Sequence, residues 1–139
     1  MAHAERGSAA RPRPTSPHLQ IYSPMINMVM SIVHRITGAA LYFGSLLLAI
    51  WLIAAAMGPE PFNQVNVLFG SMIGRVVLIG YTWALLHHML GGIRHFIWDT
   101  GRGLEIKTAD FLCWLSVISS VILTAVIWLA ATGVLREGL

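Results

Sequence analysis

Charge is what this chain has least of. Only 11% of its 139 residues are Asp, Glu, Lys or Arg, against about a quarter in a soluble domain, and mean hydropathy is +0.70. That excludes a water-soluble globule and leaves a membrane composition. At about 20 residues per span, the chain has room for three or four membrane helices but not for a soluble catalytic domain as well. Any chemistry therefore lies within or beside the helices. Cysteine is nearly absent: Cys113 stands alone, so an internal disulfide and a cysteine-rich metal site are both excluded. The net charge of +3 is spread along the chain with no basic run, which signals topology rather than a nucleic-acid partner. No secretory signal pattern opens the sequence. The first residues are a poor mitochondrial targeting segment, being short and carrying Glu5. A bacterial inner membrane is the expected location, with an organelle of bacterial descent as the alternative.

What is present is apolar sequence in three long runs. Residues 1–24, rich in Pro, Ser and Arg, have no helical period and are expected to form an N-terminal arm. Residues 25–139 form the membrane domain, with spans over about 30–57, 68–98 and 110–135. Gly58, Pro59 and Pro61 break the first run from the second, and the third carries no charge between Phe111 and Leu135. Arg6, Arg11, Arg13 and Arg35 lie before or at the start of span one, and Arg94, Arg102 and Lys107 lie between spans two and three. The first inter-span loop has no basic residue, so the N-terminus is expected inside and the C-terminus outside. Arg75, at the outer end of span two, is expected to snorkel to the interface. Most of the five tryptophans and seven methionines suit interfaces and packing gaps rather than a site.

Polar groups are costly in such a setting, and they gather in two clusters. The stretch "HHMLGGIRHFIWD", residues 87–99, places His88, Gly92 and His95 on one helical stripe that Asp99 continues. Gly92, with Gly91 widening the gap, leaves room for a broad planar ligand such as a porphyrin. His88 lies about 9 Å of rise from Arg94, deep enough to hold a haem iron, with Arg94 and His95 in reach of its propionates. A histidine hydrogen-bonded to a neighbouring helix explains His88 equally well. His87 points about 100° away and is expected to pack. The second cluster, "SIVHRITG", places Ser31, His34 and Arg35 on one face at the inner end of span one. These donors suit a quinone carbonyl or a propionate, while positive-inside anchoring by Arg35 with a Ser cap is the alternative. Thr37 and Gly38 permit close helix packing.

With "RPTSPHLQIY", "SIVHRITG" and "HHMLGGIRHFIWDTG" in this order, the chain resembles the cytochrome b membrane-anchor subunits of succinate dehydrogenase over most of its length. The resemblance implies an all-α, three-span protein packing with a second small membrane anchor as a helical bundle. Its further partners would be a flavoprotein, an iron–sulfur subunit and the lipid membrane. It implies haem b shared with the second anchor and ubiquinone as substrate. His88 matches the axial iron ligand. Ser31 and Arg35 match quinone-site residues, and His34, Arg35, His95 and Arg94 match positions near the propionates. Asp99 belongs to the motif with no chemistry assigned. Two other classes stay open: a haem-free structural anchor of a fumarate reductase-type complex, and a small transporter with polar groups across the midplane.

Overall fold

The structure is a computed structural model that describes residues 14–137, with side chains to residue 133. Four helices follow in order: α1 (Ile26–Met57), α2 (Pro59–Gly70), α3 (Met72–Asp99) and α4 (Ile106–Glu137). No strand occurs among the described residues. Three helices are long and apolar enough to cross a membrane: Ile26–Met57, Met72–Asp99 and Ile106–Gly133 within α4. The expected all-α class with three spans is thus what the chain adopts.

The boundaries follow from local chemistry. Residues 1–13 of the expected arm lie outside the described residues. Residues 14–24 are exposed, with one turn in which the Pro17 carbonyl accepts from the Gln20 and Ile21 amides at 2.9 and 3.1 Å. Met25, extended at φ −72° and ψ 151°, caps α1, which starts at Ile26 rather than at residue 30. At its far end Gly58 takes φ 119°, a conformation open to glycine, and Pro59 opens α2 where its missing N–H costs nothing. The second long helix starts at Met72, where the span was expected from about residue 68, because Leu68, Phe69 and Gly70 close α2. Ser71 makes the break: it is extended, and its hydroxyl accepts from the Gly74 amide at 3.1 Å, an N-cap for α3. Gly101 and Gly103, at φ 75° and 72°, turn the chain from α3 into α4, and the Trp98 indole donates to the Gly103 carbonyl at 3.0 Å.

α3 is the central helix. It runs antiparallel to α1, with Thr37 level with His88 and Gly44 against the ring of Tyr81. It also runs antiparallel to α4, where Arg94 meets Cys113, His87 meets Ser120 and Thr82 meets Trp128. The seam of α4 is built from Ala109, Cys113, Ser116, Ser120 and Thr124, all buried. Small residues at this spacing let helices approach closely in a membrane. The hydroxyls of Ser116, Ser120 and Thr124 donate to carbonyls of their own helix at 2.7, 2.8 and 2.7 Å, so none is left without an acceptor. Most long apolar side chains face outward instead, as lipid or a partner helix requires.

Candidate functional site

Of the polar residues singled out in the sequence, His34, His88 and His95 converge between α1 and α3, toward the end of the bundle where α1 begins. Register explains why. α1 brings His34, Thr37 and Gly38 opposite Gly91 and His88. A Cβ on Gly91 would meet His34 Nδ1 at 2.5 Å, so only glycine lets the His34 ring lie on α3. Seated there, His34 stacks on His88 with ring centroids 3.9 Å apart and planes 5° apart. The His95 ring lies 5.3 Å from that of His34, tilted to it, and meets Trp98 edge-on.

The hydrogen bonds of His88 orient its ring. Its Nδ1 lies 3.1 Å from the His34 main-chain carbonyl and 3.3 Å from Thr37 Oγ1. A carbonyl can only accept, so Nδ1 donates, and in the neutral imidazole the lone pair is then on Nε2. Nε2 has no hydrogen-bond partner among the described residues. Gly92 completes this side of α3: a Cβ there would meet nothing within 4 Å. The stripe of His88, Gly92 and His95 thus runs along an open edge of the α1–α3 contact. His95 is exposed and His88 partly so.

The neighbouring stripe of α3 has the opposite character. His87, 2% exposed, faces α4, where its Nδ1 lies 3.3 Å from Ser120 Oγ, and it stacks on Trp83. It is a helix contact, as its position predicted. Arg94 is 3% exposed. Its Nη1 donates to Cys113 Sγ at 3.2 Å, the thiol donates to Asn27 Oδ1 at 2.8 Å, and Asn27 Nδ2 donates to Asp110 Oδ1 at 2.6 Å. The guanidinium also lies over the Trp98 ring, 5.1 Å from its centre. This relay ties the start of α1 and the start of α4 to α3. Among the described residues, the buried His34 Nδ1 and Arg94 Nε have no hydrogen-bond partner.

Ser31 and Arg35 are exposed, on the turn of α1 that carries His34, and neither makes a hydrogen bond or ion pair among the described residues. The sequence places them on one face with His34. In the structure His34 turns inward to α3 while Ser31 and Arg35 face away from the helices. Asp99 is the exposed last residue of α3. Two features escaped the sequence reading. Thr37 was a small packing residue there, yet its hydroxyl reaches His88, which its place three residues after His34 on the same face signals. The Asn27–Cys113–Arg94 relay joins three helices and had no local signal. A separate apolar cavity of about 340 Å³, lined by Gly44, Leu47, Trp51, Val77 and Tyr81 among others, lies toward the α2 end and has none of these polar groups.

Comparison with known proteins matches residues 9–133 to the family model described as succinate dehydrogenase/fumarate reductase transmembrane subunit. The succinate dehydrogenase cytochrome b556 subunit of Paracoccus denitrificans is 41% identical over 123 residues, covering 88% of this chain and 92% of that protein. The cytochrome b556 subunit of Rickettsia prowazekii is 39% identical over 116 residues, covering 84% and 90%. The human mitochondrial cytochrome b560 subunit is 36% identical over 122 residues, covering 81% and 70%.

Proposed function

Since the chain belongs to the succinate dehydrogenase/fumarate reductase transmembrane subunit family, we propose that it is the cytochrome b anchor of a succinate dehydrogenase. In this role it supplies one axial ligand to haem b and part of the ubiquinone-reduction site. The observation that carries the haem assignment is the state of His88: a proton held on Nδ1 by the His34 carbonyl, an Nε2 without a partner, and an adjoining glycine edge that nothing among the described residues covers. An imidazole in that state is what haem iron takes as an axial ligand. The residues present fit the group. The open edge accepts a planar macrocycle shared with a second anchor subunit, which would bring the other ligand. Arg35 and His95, both exposed, would serve the propionates, while His34 Nδ1 packs on Gly91 and the Arg94 guanidinium is held against α4. Relatives named as cytochrome b556 and b560 subunits favour this over a haem-free anchor.

When bound, haem b takes up and releases single electrons at a site shielded from water. This chain's own residues bind and orient. His88 would hold the iron through Nε2, with its ring oriented by the Nδ1–H bond to the His34 carbonyl. Gly91 admits His34, whose ring covers one face of His88. Ser31 and Arg35, exposed on the turn of α1 beside this cluster, would meet quinone at the junction with the iron–sulfur subunit. There the Ser31 hydroxyl donates to a quinone oxygen, and the fixed positive charge of Arg35 offsets the negative charge that grows on the ring during reduction. Succinate oxidation belongs to the flavoprotein subunit. With the N-terminus inside a bacterial cytoplasmic membrane, both clusters lie on the inner side, where the soluble subunits dock.

The test separates the two sites. In the assembled complex, Ser31→Ala should lower quinone reductase turnover roughly 10-fold or more with haem content unchanged, and Arg35→Leu should lower turnover at least as far. His88→Ala should abolish the haem absorption. Full turnover in both Ser31→Ala and Arg35→Leu would exclude the quinone assignment.

A further inference from the structure

His88 Nδ1–H has two acceptors in reach, not one. Beside the His34 carbonyl at 3.1 Å stands Thr37 Oγ1 at 3.3 Å. Thr37 is 2% exposed, so water does not compete for it. Its own hydroxyl proton is committed elsewhere: Oγ1 lies 2.9 Å from the Val33 carbonyl and 3.0 Å from the His34 carbonyl, both acceptors only. The hydroxyl therefore donates backward into its own helix and turns its lone pairs to His88. A hydroxyl that donates to a carbonyl becomes a stronger acceptor, because hydrogen bonds in a chain polarise one another. The next residue keeps the ring at this distance: a Cβ on Gly38 would sit 3.0 Å from His88 Cε1 and 3.5 Å from Nδ1.

We infer that Thr37 is a positioning and tuning residue for the haem: its hydroxyl, forked with the His34 carbonyl on His88 Nδ1–H, raises the electron donation of His88 Nε2 to iron and so lowers the haem midpoint potential. The inference rests on the proposed ligation by His88. The direction follows from the chemistry of a ligating imidazole. A stronger acceptor on Nδ1–H draws the proton away from the ring, the ring gains imidazolate character, and the ferric state gains more from the richer ligand than the ferrous state does. Thr37 touches neither iron nor quinone and acts only through His88.

Valine replaces threonine with almost no change of shape, so Thr37→Val removes the fork and little else. In the complex purified with its partner subunits, haem content is measured first. The haem midpoint potential is then measured by optical redox titration, and the ferric low-spin signal by electron paramagnetic resonance. Thr37→Val should retain one haem per complex, with the midpoint shifted upward and the spread of g values altered. Thr37→Ala should shift it in the same direction, so the result does not depend on how the valine packs. Thr37→Ser, which keeps the hydroxyl, should return both readouts to wild type. A wild-type midpoint in either hydroxyl-free variant, or a Thr37→Ser midpoint shifted like theirs, overturns the inference. His88→Ala separates this failure from the other one: loss of haem there beside an unshifted Thr37→Val removes only the role of Thr37. Haem retained in His88→Ala removes the ligand assignment on which that role rests.

Discussion

Adjacent histidines with one backbone between them have opposite fates here. His87 is sealed against Ser120 and Trp83, whereas His88 is held by its Nδ1 with Nε2 free. Helical geometry alone told them apart in the sequence, because a 100° step separates faces. What the sequence could not give was the identity of the second partner. Gly91 looked like an extra gap beside Gly92, but it is the seat of the His34 ring, and only the register of α1 against α3 assigns it. The two glycines therefore make different predictions. Gly91→Ala puts a methyl group into His34 and should loosen the stack on His88, lowering haem retention during purification. Gly92→Leu adds its side chain at a position where a Cβ meets nothing within 4 Å among the described residues. If it also expels haem while the complex still assembles, the occupant of that edge is the haem, as measured by haem per flavin in the purified complex. His87→Gln should keep the haem band and lower stability by about 1–3 kcal/mol through its altered bond to Ser120.

The helices were legible as periods of apolar sequence, and their ends less so. Ser71 divides α2 from α3 with a capping bond to Gly74, a signal of one residue inside a run that is otherwise continuously apolar, so the span was expected to start at residue 68. α4 looked featureless because it carries no charge in its apolar run. Its information is instead in the spacing of Ala109, Cys113, Ser116, Ser120 and Thr124, small residues that set how close α3 can come. Those hydroxyls bond to carbonyls of their own helix and to His87, which favours a packing seam over a transport pathway. The relay from Arg94 through Cys113 and Asn27 to Asp110 holds the ends of three helices together. Asn27→Ala leaves the thiol and the carboxylate each short of a partner. It should cost about 1–3 kcal/mol, visible as a lower melting temperature of the detergent-purified complex, with the haem spectrum initially unchanged.

At the scale of the molecule, α1 leans on α3 and α3 on α4, leaving broad apolar surfaces open on α1 and α4. Such a chain is complete only among lipid and partner helices, and a haem shared across the His88 edge would fasten it to one of them. The family resemblance was legible because three motifs occur in order, and the second and third carry the histidines that the fold brings together between α1 and α3. The basic residues that set the expected topology fall partly outside the described residues. The loop at 100–105, with Arg102, should therefore be probed directly: a cysteine placed there should be labelled from the same side of the membrane as one in the N-terminal arm, and labelling from opposite sides would reverse the number of crossings between them. Ligation of haem b by His88 is read from the reduced-minus-oxidised spectrum of the purified complex. The wild type should show a low-spin b-type band at one haem per flavin, and His88→Ala should lose it with all subunits still assembled. The same band at full strength in His88→Ala would exclude His88 as the ligand.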